Sequence, residues 1–248
     1  MIQLHHGDCL EVMKSIPDKS IDMVLTDPPY GTTACKWDVV IPFEPMWEQL
    51  KRITKDNNAI CLFGIEPFSS HLRMSNLKMF KYDWVWDKVT ARGHLVAKKR
   101  PMQQTELISV FGGIRYFPQM IKRPKNKIEV RKKTEYSKTL IMGENQKSSA
   151  PKNVIYDKWY PKNLIAFSNA ASSITKYHPT QKPVALLEYL IKTYTLENET
   201  VLDFTMGSCS TGVACKNLNR SFIGIEKDEK YFNIAKERIE NHVPSLLF

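Results

Sequence analysis

The four residues Asp27-Pro28-Pro29-Tyr30 follow an apolar run, residues 21–25, that predicts a buried strand. Two consecutive prolines lack backbone N–H groups and fix φ, so they end the hydrogen-bonding ladder and stiffen the turn. The turn therefore holds a carboxylate, a carbonyl group and an aromatic ring together at the carboxyl end of a strand. Ligands of open α/β sheets bind at that edge.

The residue types in this turn suit a flat ring that carries an amine. Asp27 and the Pro28 carbonyl can accept the hydrogens of the amine, and Tyr30 can stack on the ring. The alternative is a strand-terminating turn with an exposed tyrosine, because short motifs also occur by chance. The rest of the chain has to decide between the two interpretations.

Hydrophobic periodicity predicts strands that alternate with helices on both sides of a long central gap. This alternation is typical of an α/β fold with a mostly parallel sheet and helices on both faces. The predicted strands are residues 3–6, 21–26, 58–64, 82–86, 106–111, 200–204 and 222–226. The predicted helices are residues 9–16, 42–53, 68–77, 183–194, 213–218 and 228–242.

The excess positive charge is concentrated in one central block. The chain carries 36 basic and 26 acidic residues, a net charge of +10. Residues 113–176 hold 14 of the basic and 4 of the acidic residues, which leaves 22 of each sign elsewhere. A neutral body with one basic block indicates a polyanion-binding surface. Because residues 112–176 show little periodicity, we expect them to form an inserted region between residues 1–111 and 177–248.

The composition argues against several other classes of protein. No apolar run approaches the roughly 20 residues that span a bilayer, and the N-terminal residues lack the pattern of a signal peptide. The five cysteines are dispersed and include no C-x-x-C pair, so neither a disulfide framework nor a zinc site is predicted. We therefore expect a reduced, cytoplasmic protein with no membrane partner and no metal.

A second motif occupies residues 202–212, with the sequence LDFTMGSCSTG. A strand, a turn of small residues and a helix let the backbone approach a ligand closely. Glu226 ends the next predicted strand, where an acid can bind ribose hydroxyls. The unit indicates a cofactor that contains adenosine. A tight turn in another Rossmann-like protein is the alternative, because the motif has two glycines, Gly207 and Gly212, where a dinucleotide fingerprint has three.

Together, the two motifs resemble those of the β-class amino-methyltransferases of DNA, which use S-adenosylmethionine. The resemblance covers residues 1–111 and 177–242. It rests on five landmarks in a fixed order: Gly7-Asp8, residues 27–30, the sequence HPTQKP at residues 178–183, residues 203–212, and Glu226. It implies a Rossmann-like methyltransferase fold with a circularly permuted motif order. The basic region, residues 112–176, then corresponds to the target-recognition region of the family.

The family pattern also implies roles for individual residues. The residues implied to be catalytic are Asp27, Pro28, Pro29 and Tyr30. The residues implied to bind the cofactor are Asp8, Cys9, Asp27, His178, Thr180, Lys182, Asp203, Phe204, Gly207, Ser208 and Glu226. Asp8 and Cys9 would lie at the adenine, Glu226 at the ribose, and Lys182 at the methionine carboxylate. Two simpler roles remain open, a helix N-cap for Asp8 and a solvated helix start for Lys182.

The resemblance implies methyl transfer to the N6 amine of an adenine flipped out of duplex DNA. Aspartate at the first motif position is typical of the N6-adenine enzymes of the family, whereas serine is typical of N4-cytosine enzymes. The residues expected to contact DNA are Lys122, Arg123, Lys125, Lys127, Arg131, Lys132 and Lys133. Dimers are common in the family, so a homodimer is a further expectation.

Three other functions stay open at this point. The first is N4-cytosine methylation, the second is a DNA-binding protein with a weakened cofactor site, and the third is methylation of RNA or protein, because the amine-holding motif suits any planar amide or aminopurine. The second arises because Cys209 stands where the family has a glycine, which could weaken cofactor binding if φ there must be positive.

Overall fold

The structure, a computed structural model, describes residues 1–32, 38–113, 115–131, 154–168 and 181–244. The chain forms two compact units, of which the larger comprises residues 1–117 and 163–248 and the smaller residues 118–162. The smaller unit thus begins and ends inside the insertion expected at residues 112–176. Residues 164–166 form a strand of the larger unit rather than part of the insertion.

The helices and strands of the described residues are as follows. The helices are α1 (Cys9–Met13), α2 (Phe43–Ile53), α3 (Phe68–Met74), α4 (Val184–Tyr194), α5 (Ser210–Asn217) and α6 (Glu229–Asn241). The strands are β1 (Ile2–His6), β2 (Ile21–Thr26), β3 (Thr54–Gly64), β4 (Phe80–Arg92), β5 (Gln103–Gly112), β6 (Ile121–Lys122), β7 (Glu129–Arg131), β8 (Val154–Tyr156), β9 (Lys158–Trp159), β10 (Leu164–Ala166), β11 (Thr200–Asp203) and β12 (Ser221–Glu226).

In the described part of the larger unit, eight strands form one sheet in the order β1-β12-β11-β2-β3-β5-β4-β10. The pairs from β1 to β3 are parallel, as is β10 with β4. The prediction of a mostly parallel sheet is confirmed. Strand β5 is the exception, because it runs antiparallel to both of its neighbours, and the sequence pattern did not predict this reversal.

Strand β2 lies in the middle of the sheet and is buried along its whole length. Its side chains alternate between the two faces, so Met23 and Leu25 pack into one apolar cluster and Val24 into the other. Helices α4, α5 and α6 cover the first cluster, and α1, α2 and α3 cover the second. Helices therefore cover both faces, as predicted.

Several element ends differ from the prediction by a few residues. Helix α1 ends at Met13 rather than at residue 16, because the N–H groups of residues 14–16 bond to carbonyls three residues earlier. Strand β4 continues to Arg92, well past the predicted end at residue 86. Trp84 and Trp86 are 2% and 0% exposed and belong to the core.

The described residues of the smaller unit form two short antiparallel pairs, β6 with β9 and β7 with β8. Arg123 links them: its guanidinium lies 3.0 Å from the Glu129 carboxylate and donates to the Lys127 carbonyl at 3.1 Å. The same guanidinium stacks over the Trp159 ring, with 5.5 Å between its carbon and the ring centroid. Across the described parts of both units, no helix has the length and apolar character to cross a membrane.

Candidate active site

The carboxyl ends of four neighbouring parallel strands meet at one edge of the sheet. Asp27 follows β2, Asp203 ends β11, Glu226 ends β12, and Asp8 follows β1. The chain leaves β2 toward β3 and leaves β11 in the opposite direction toward β12. The boundary between β2 and β11 is therefore a topological switch point, where open α/β sheets bind their ligands.

A cavity of about 870 Å³ opens at this edge. The structure brings together twelve of the predicted site residues in its wall: Asp8, Cys9, Asp27, Pro28, Pro29, Tyr30, Lys182, Asp203, Phe204, Gly207, Ser208 and Glu226. Four predicted site residues, namely His178, Thr180, Lys132 and Lys133, lie outside the described residues, as does the side chain of Arg131. Lys122, Arg123, Lys125 and Lys127 belong to the smaller unit.

Two side chains, those of Thr26 and Thr205, join the predicted catalytic turn (residues 27–30) to the predicted cofactor turn (residues 203–212). The Thr26 hydroxyl donates to Asp203 Oδ1 at 3.1 Å and accepts from the Phe204 N–H at 3.1 Å. The Thr205 hydroxyl donates to the Asp27 backbone carbonyl at 3.0 Å. These hydrogen bonds therefore fix the positions of the two motifs relative to each other, although the motifs lie nearly 180 residues apart in sequence.

Asp203 is buried at the end of β11 and is hydrogen-bonded by the protein itself. Its Oδ2 accepts from the Thr211 hydroxyl at 2.6 Å, and its Oδ1 accepts from the Thr205 N–H at 3.3 Å. Burial raises the pKa of Asp203 to about 7, although these hydrogen bonds favour the charged form. Asp203 therefore supports the turn as well as lining the cavity.

The turn after β11 contains two residues with positive φ, Gly207 at +51° and Cys209 at +62°. The side chain of Cys209 is 0% exposed and packs in the core. A Cβ atom at Gly212 would lie 2.4 Å from Cys209 Sγ, so the thiol fills the space that the glycine leaves. Cys209 does adopt the positive φ considered from the sequence, but its side chain packs beneath the turn and does not line the cavity.

Glu226 is fixed by two backbone N–H groups. Gly207 donates to its Oε2 and Asp228 donates to its Oε1, both at 2.8 Å. Burial raises the pKa of Glu226, and these two hydrogen bonds oppose the rise. Each carboxylate oxygen has two lone pairs, so Glu226 retains acceptor capacity for ligand hydroxyls.

Asp8 caps helix α1, as the simpler reading of the sequence allows. Its Oδ1 accepts from the Leu10 N–H at 3.0 Å, and its Oδ2 lies 3.0 Å from Lys227 Nζ. Partial burial raises the pKa of Asp8, but the bonds from Lys227 and Leu10 outweigh burial and hold the pKa below its usual value. Asp8 is therefore charged at neutral pH and available as an acceptor at the cavity.

Asp27 is contacted through both of its carboxylate oxygens. The Tyr30 hydroxyl donates to Oδ1, and the Lys182 ammonium donates to Oδ2. Glu106 contacts the same two donors: its Oε1 is 3.1 Å from the Tyr30 hydroxyl and 3.1 Å from Lys182 Nζ. Its Oε2 lies 2.7 Å from Lys88 Nζ. Two carboxylates and two ammonium groups thus form a neutral cluster in the cavity wall.

The pKa shifts in this cluster follow from burial and from the neighbouring charges. Burial raises the pKa of Asp27; Lys182 opposes the rise and Glu106 adds to it. Burial would also raise the pKa of Glu106, but the ammonium groups of Lys182 and Lys88 hold it below its usual value. Burial lowers the pKa of Lys182, yet the two carboxylates outweigh burial and raise it, so the ammonium form persists. The family resemblance implies that Lys182 also lies at the cofactor carboxylate, which stays a prediction; in the structure the Lys182 ammonium contacts the side chains of Asp27 and Glu106.

Asp38 fixes the backbone at the end of the predicted catalytic turn, residues 27–30. Its Oδ1 accepts from the N–H groups of Tyr30 and Gly31 at 2.8 and 2.9 Å, and its Oδ2 accepts from the Thr32 N–H at 3.0 Å. Three successive N–H groups around one carboxylate hold the chain in a tight curve. The stiff prolines and this anchor together set the position of the Tyr30 ring.

Reasoning from the sequence missed Glu106, Lys88, Asp38 and the role of Thr205. Glu106 carried a usable signal, because it is a charged residue at the edge of an apolar run, residues 107–111. Lys88 and Asp38 gave no such signal, since isolated charges are common at strand ends and in loops. Within the described residues, no cluster of His, Cys, Asp or Glu side chains is arranged to bind a metal ion.

Comparison with known families identifies the class of protein. The sequence profile of the N6/N4 DNA methylase family matches residues 21–237, which is most of the 248-residue chain. The match includes residues 27–30, residues 203–212 and Glu226. The chain belongs to this family and is a DNA methyltransferase.

Individual relatives agree with this assignment. The chain is 28% identical to the type II methyltransferase M.HpaI of Haemophilus parainfluenzae, over 95% of this chain and 73% of that protein. It is 27% identical to the DNA adenine methyltransferase YhdJ of Escherichia coli K12, over 95% of this chain and 81% of that protein.

Solved structures show the same fold. The complex of M1.HpyAVI with SAM matches with a TM-score of 0.63 and 26% identity, over 96% of this chain and 99% of that one. The cytosine-N4-specific PvuII DNA methyltransferase matches with a TM-score of 0.68 over 98% of this chain and 88% of that one, at 17% identity. At that low identity the PvuII enzyme is evidence for the fold alone. The predicted Rossmann-like methyltransferase fold is confirmed.

Proposed function

We propose that this enzyme transfers a methyl group from S-adenosylmethionine to the N6 amine of an adenine flipped out of duplex DNA. One observation carries the proposal: the Asp27–Tyr30 turn opens into the same cavity as Asp8 and Glu226. Aspartate at the first position of the turn favours adenine. The name of YhdJ, a DNA adenine methyltransferase, and the SAM complex of M1.HpyAVI support the same base and cofactor.

The cavity fits such a cofactor in size and in chemistry. About 870 Å³ is within the range of cofactor pockets. Asp8 is a charged acceptor suited to an adenine amine, and Glu226 is a fixed acceptor suited to ribose hydroxyls. Gly207 and Ser208 would border the methionine portion. The bound cofactor supplies an electrophilic methyl group on a sulfonium.

The residues of the catalytic turn hold and activate the target amine. Asp27 and the Pro28 carbonyl accept its two hydrogens, which draws the nitrogen toward tetrahedral geometry and localises its lone pair. Orientation and fixed dipoles, rather than a covalent intermediate, then lower the barrier. Asp38 and Thr205 keep the turn in place during this step.

Tyr30 stacks on the flipped base and offsets part of the cost of flipping. Flipping costs a few kcal/mol, whereas stacking on one aromatic ring contributes about 1–3 kcal/mol. Contacts with DNA phosphates must therefore supply the remainder. The basic residues Lys122, Lys125 and Lys127, whose side chains are exposed, are proposed to make some of these contacts.

Residues 112–176 are proposed to act as the target-recognition region, since they hold the excess charge of the chain. His178 and Thr180 are proposed to line the cofactor pocket on the resemblance alone. A role beside a restriction enzyme, a cytoplasmic location and a homodimer stay predictions.

The test is methylation of duplex DNA with labelled S-adenosylmethionine, followed by digestion and mass spectrometry of the nucleosides. We expect N6-methyladenine. N4-methylcytosine would support the cytosine alternative instead. The absence of any methylated base, with normal cofactor binding by calorimetry, would contradict both. Single-molecule sequencing of DNA from an expressing host then identifies the recognition sequence.

A further inference from the structure

We propose that Glu106 is a positioning residue that receives Lys182 and Tyr30 when Asp27 takes up the target amine. This inference rests on the proposed function. It assigns Glu106 no contact with the base and no contact with the cofactor. Its role is to provide a second acceptor for two donors that otherwise remain bound to the catalytic carboxylate.

The geometry places Glu106 within reach of both donors at once. Its Oε1 is 3.1 Å from the Tyr30 hydroxyl and 3.1 Å from Lys182 Nζ, while each of these groups also contacts Asp27. Asp27, Tyr30, Glu106 and Lys182 therefore form a closed ring of four groups. Each donor can strengthen its bond to one carboxylate as it loosens its bond to the other.

This exchange of donors from Asp27 to Glu106 matters because a carboxylate in an ion pair is a poorer hydrogen-bond acceptor. While the Lys182 ammonium neutralises Asp27, the pull of Asp27 on the hydrogens of an amine is weakened. Lys182 cannot simply retreat into water, since its side chain is only 9% exposed. A buried ammonium that loses its partner is strongly destabilising, because its charge is left uncompensated away from water. Glu106, with its side chain 6% exposed, removes this cost by remaining paired with Lys182 throughout.

The fold holds Glu106 in place from its other side. Glu106 lies opposite Trp86 in the antiparallel register of β4 and β5, and Lys88 follows Trp86 by two residues on the same face of β4. The Lys88 ammonium is 2.7 Å from Glu106 Oε2. Because β5 runs antiparallel to β3, Glu106 near its beginning lies at the edge where the parallel strands end. The antiparallel strand therefore brings the second carboxylate to the site.

The decisive variant is Glu106→Gln, which keeps an acceptor oxygen and removes the charge. Lys182 should then remain on Asp27, so the rate of a single turnover should fall about 100-fold, the effect of misplacing a catalytic group. Glu199→Gln is the matched control, because Glu199 forms a similar ion pair with Arg115 at 2.8 Å and does not line the cavity. Glu106→Asp keeps the charge with a shorter reach and should restore part of the rate.

Two further readouts separate positioning from a structural role. The first is the fluorescence of 2-aminopurine placed at the target base, recorded with wild type and with Glu106→Gln in the presence of the inhibitor sinefungin. We expect the same increase for both, since flipping precedes the exchange. The second is the acid limb of the pH dependence of the rate. The acid limb should lie at lower pH in Glu106→Gln than in the wild type. The charge of Glu106 raises the pKa of Asp27, so removing that charge lowers this pKa.

Each outcome bears on the proposal. A rate of Glu106→Gln equal to wild type, or fluorescence that is lost together with the rate, overturns it. If Glu106→Gln does not fold, equal rates for Glu106→Asp and wild type overturn the proposal, and a slowed Glu106→Asp that still flips the base supports it. A wild-type protein that methylates no adenine overturns the proposed function and this inference together, whereas an active wild type confines any failure to this inference.

Discussion

The hydroxyl of Thr205 donates a hydrogen bond of 3.0 Å to the backbone carbonyl of Asp27, across 178 residues of sequence. One bond thus joins the turn that follows β11 to the turn that follows β2. Thr205 therefore contributes a contact that holds the turn at residues 27–30.

Thr205→Val keeps the shape of the side chain and removes this contact. The lost hydrogen bond should lower the free energy of unfolding by about 0.5–1.5 kcal/mol, and the loosened turn should also slow methyl transfer. Thr193→Val is the matched control, because the Thr193 hydroxyl donates to the Tyr189 carbonyl at 2.7 Å on helix α4, away from the cavity. Denaturant titrations and initial rates measure both effects. Equal losses of rate in the two variants would contradict a specific role for Thr205.

Asp27→Ala should abolish methylation while cofactor binding stays measurable. The fold should survive, because Lys182 keeps its ion pair with Glu106 and Tyr30 keeps its hydrogen bond to Glu106. Calorimetry with S-adenosylmethionine and the transfer assay test the two halves of this prediction. If cofactor binding and the cooperative unfolding transition are lost together with activity, Asp27 serves the fold rather than the reaction.

The sequence allowed prediction of those parts of the fold that depend on local pattern. Residues 21–26 form the buried strand that the apolar run predicts, and Asp27 and Glu226 lie at the strand ends expected of them. A period of two or of 3.6 residues is a local property, so helices and strands were found with errors of a few residues at their ends.

The remainder depends on contacts that periodicity does not encode. The direction of β5 follows from its pairing with β3 and β4, and an apolar run gives no sign of direction. The position of Glu106 in the site depends on that direction. The contacts of Lys182 with Asp27 and Glu106, at the end of β2 and on β5, likewise follow from the tertiary arrangement and not from the local pattern.

Cys209→Gly should leave the affinity for S-adenosylmethionine unchanged, because the thiol packs in the core and does not line the cavity. Glycine relieves a left-handed conformation that costs other residues about 1–2 kcal/mol, but the loss of a buried side chain acts in the opposite direction. The net change in unfolding free energy should therefore be small. Gly207→Ala is the contrasting variant, since Gly207 lines the cavity at φ +51° and should lose affinity. A large change in affinity for Cys209→Gly would instead show that the residue limits cofactor binding.

Asp203 should make the protein less stable as the pH rises through the acid range. Its pKa in the folded state is about 7 and exceeds that of an unfolded aspartate, so the folded state binds more protons between about pH 4 and pH 7. The free energy of unfolding therefore falls across this interval and levels off above it. In the wild type this fall should amount to as much as about 4 kcal/mol. The Asp203→Asn variant should not show it. Denaturant titrations of both proteins across the interval measure the difference, in which the titrating groups remote from Asp203 cancel. Parallel curves would contradict the prediction.

Lys125 and Arg123 should differ in their effect on DNA binding although both are basic residues of the smaller unit. The exposed Lys125 should contact a phosphate, so Lys125→Ala should weaken binding to all sequences alike and reduce the slope of log K against log salt by about 0.9. Arg123 is held by Glu129, Lys127 and the Trp159 ring, so Arg123→Ala should instead loosen the unit and increase its proteolysis. Fluorescence anisotropy over a series of salt concentrations, with limited proteolysis of each variant, distinguishes the two. An unchanged salt slope for Lys125→Ala would remove Lys125 from the DNA interface.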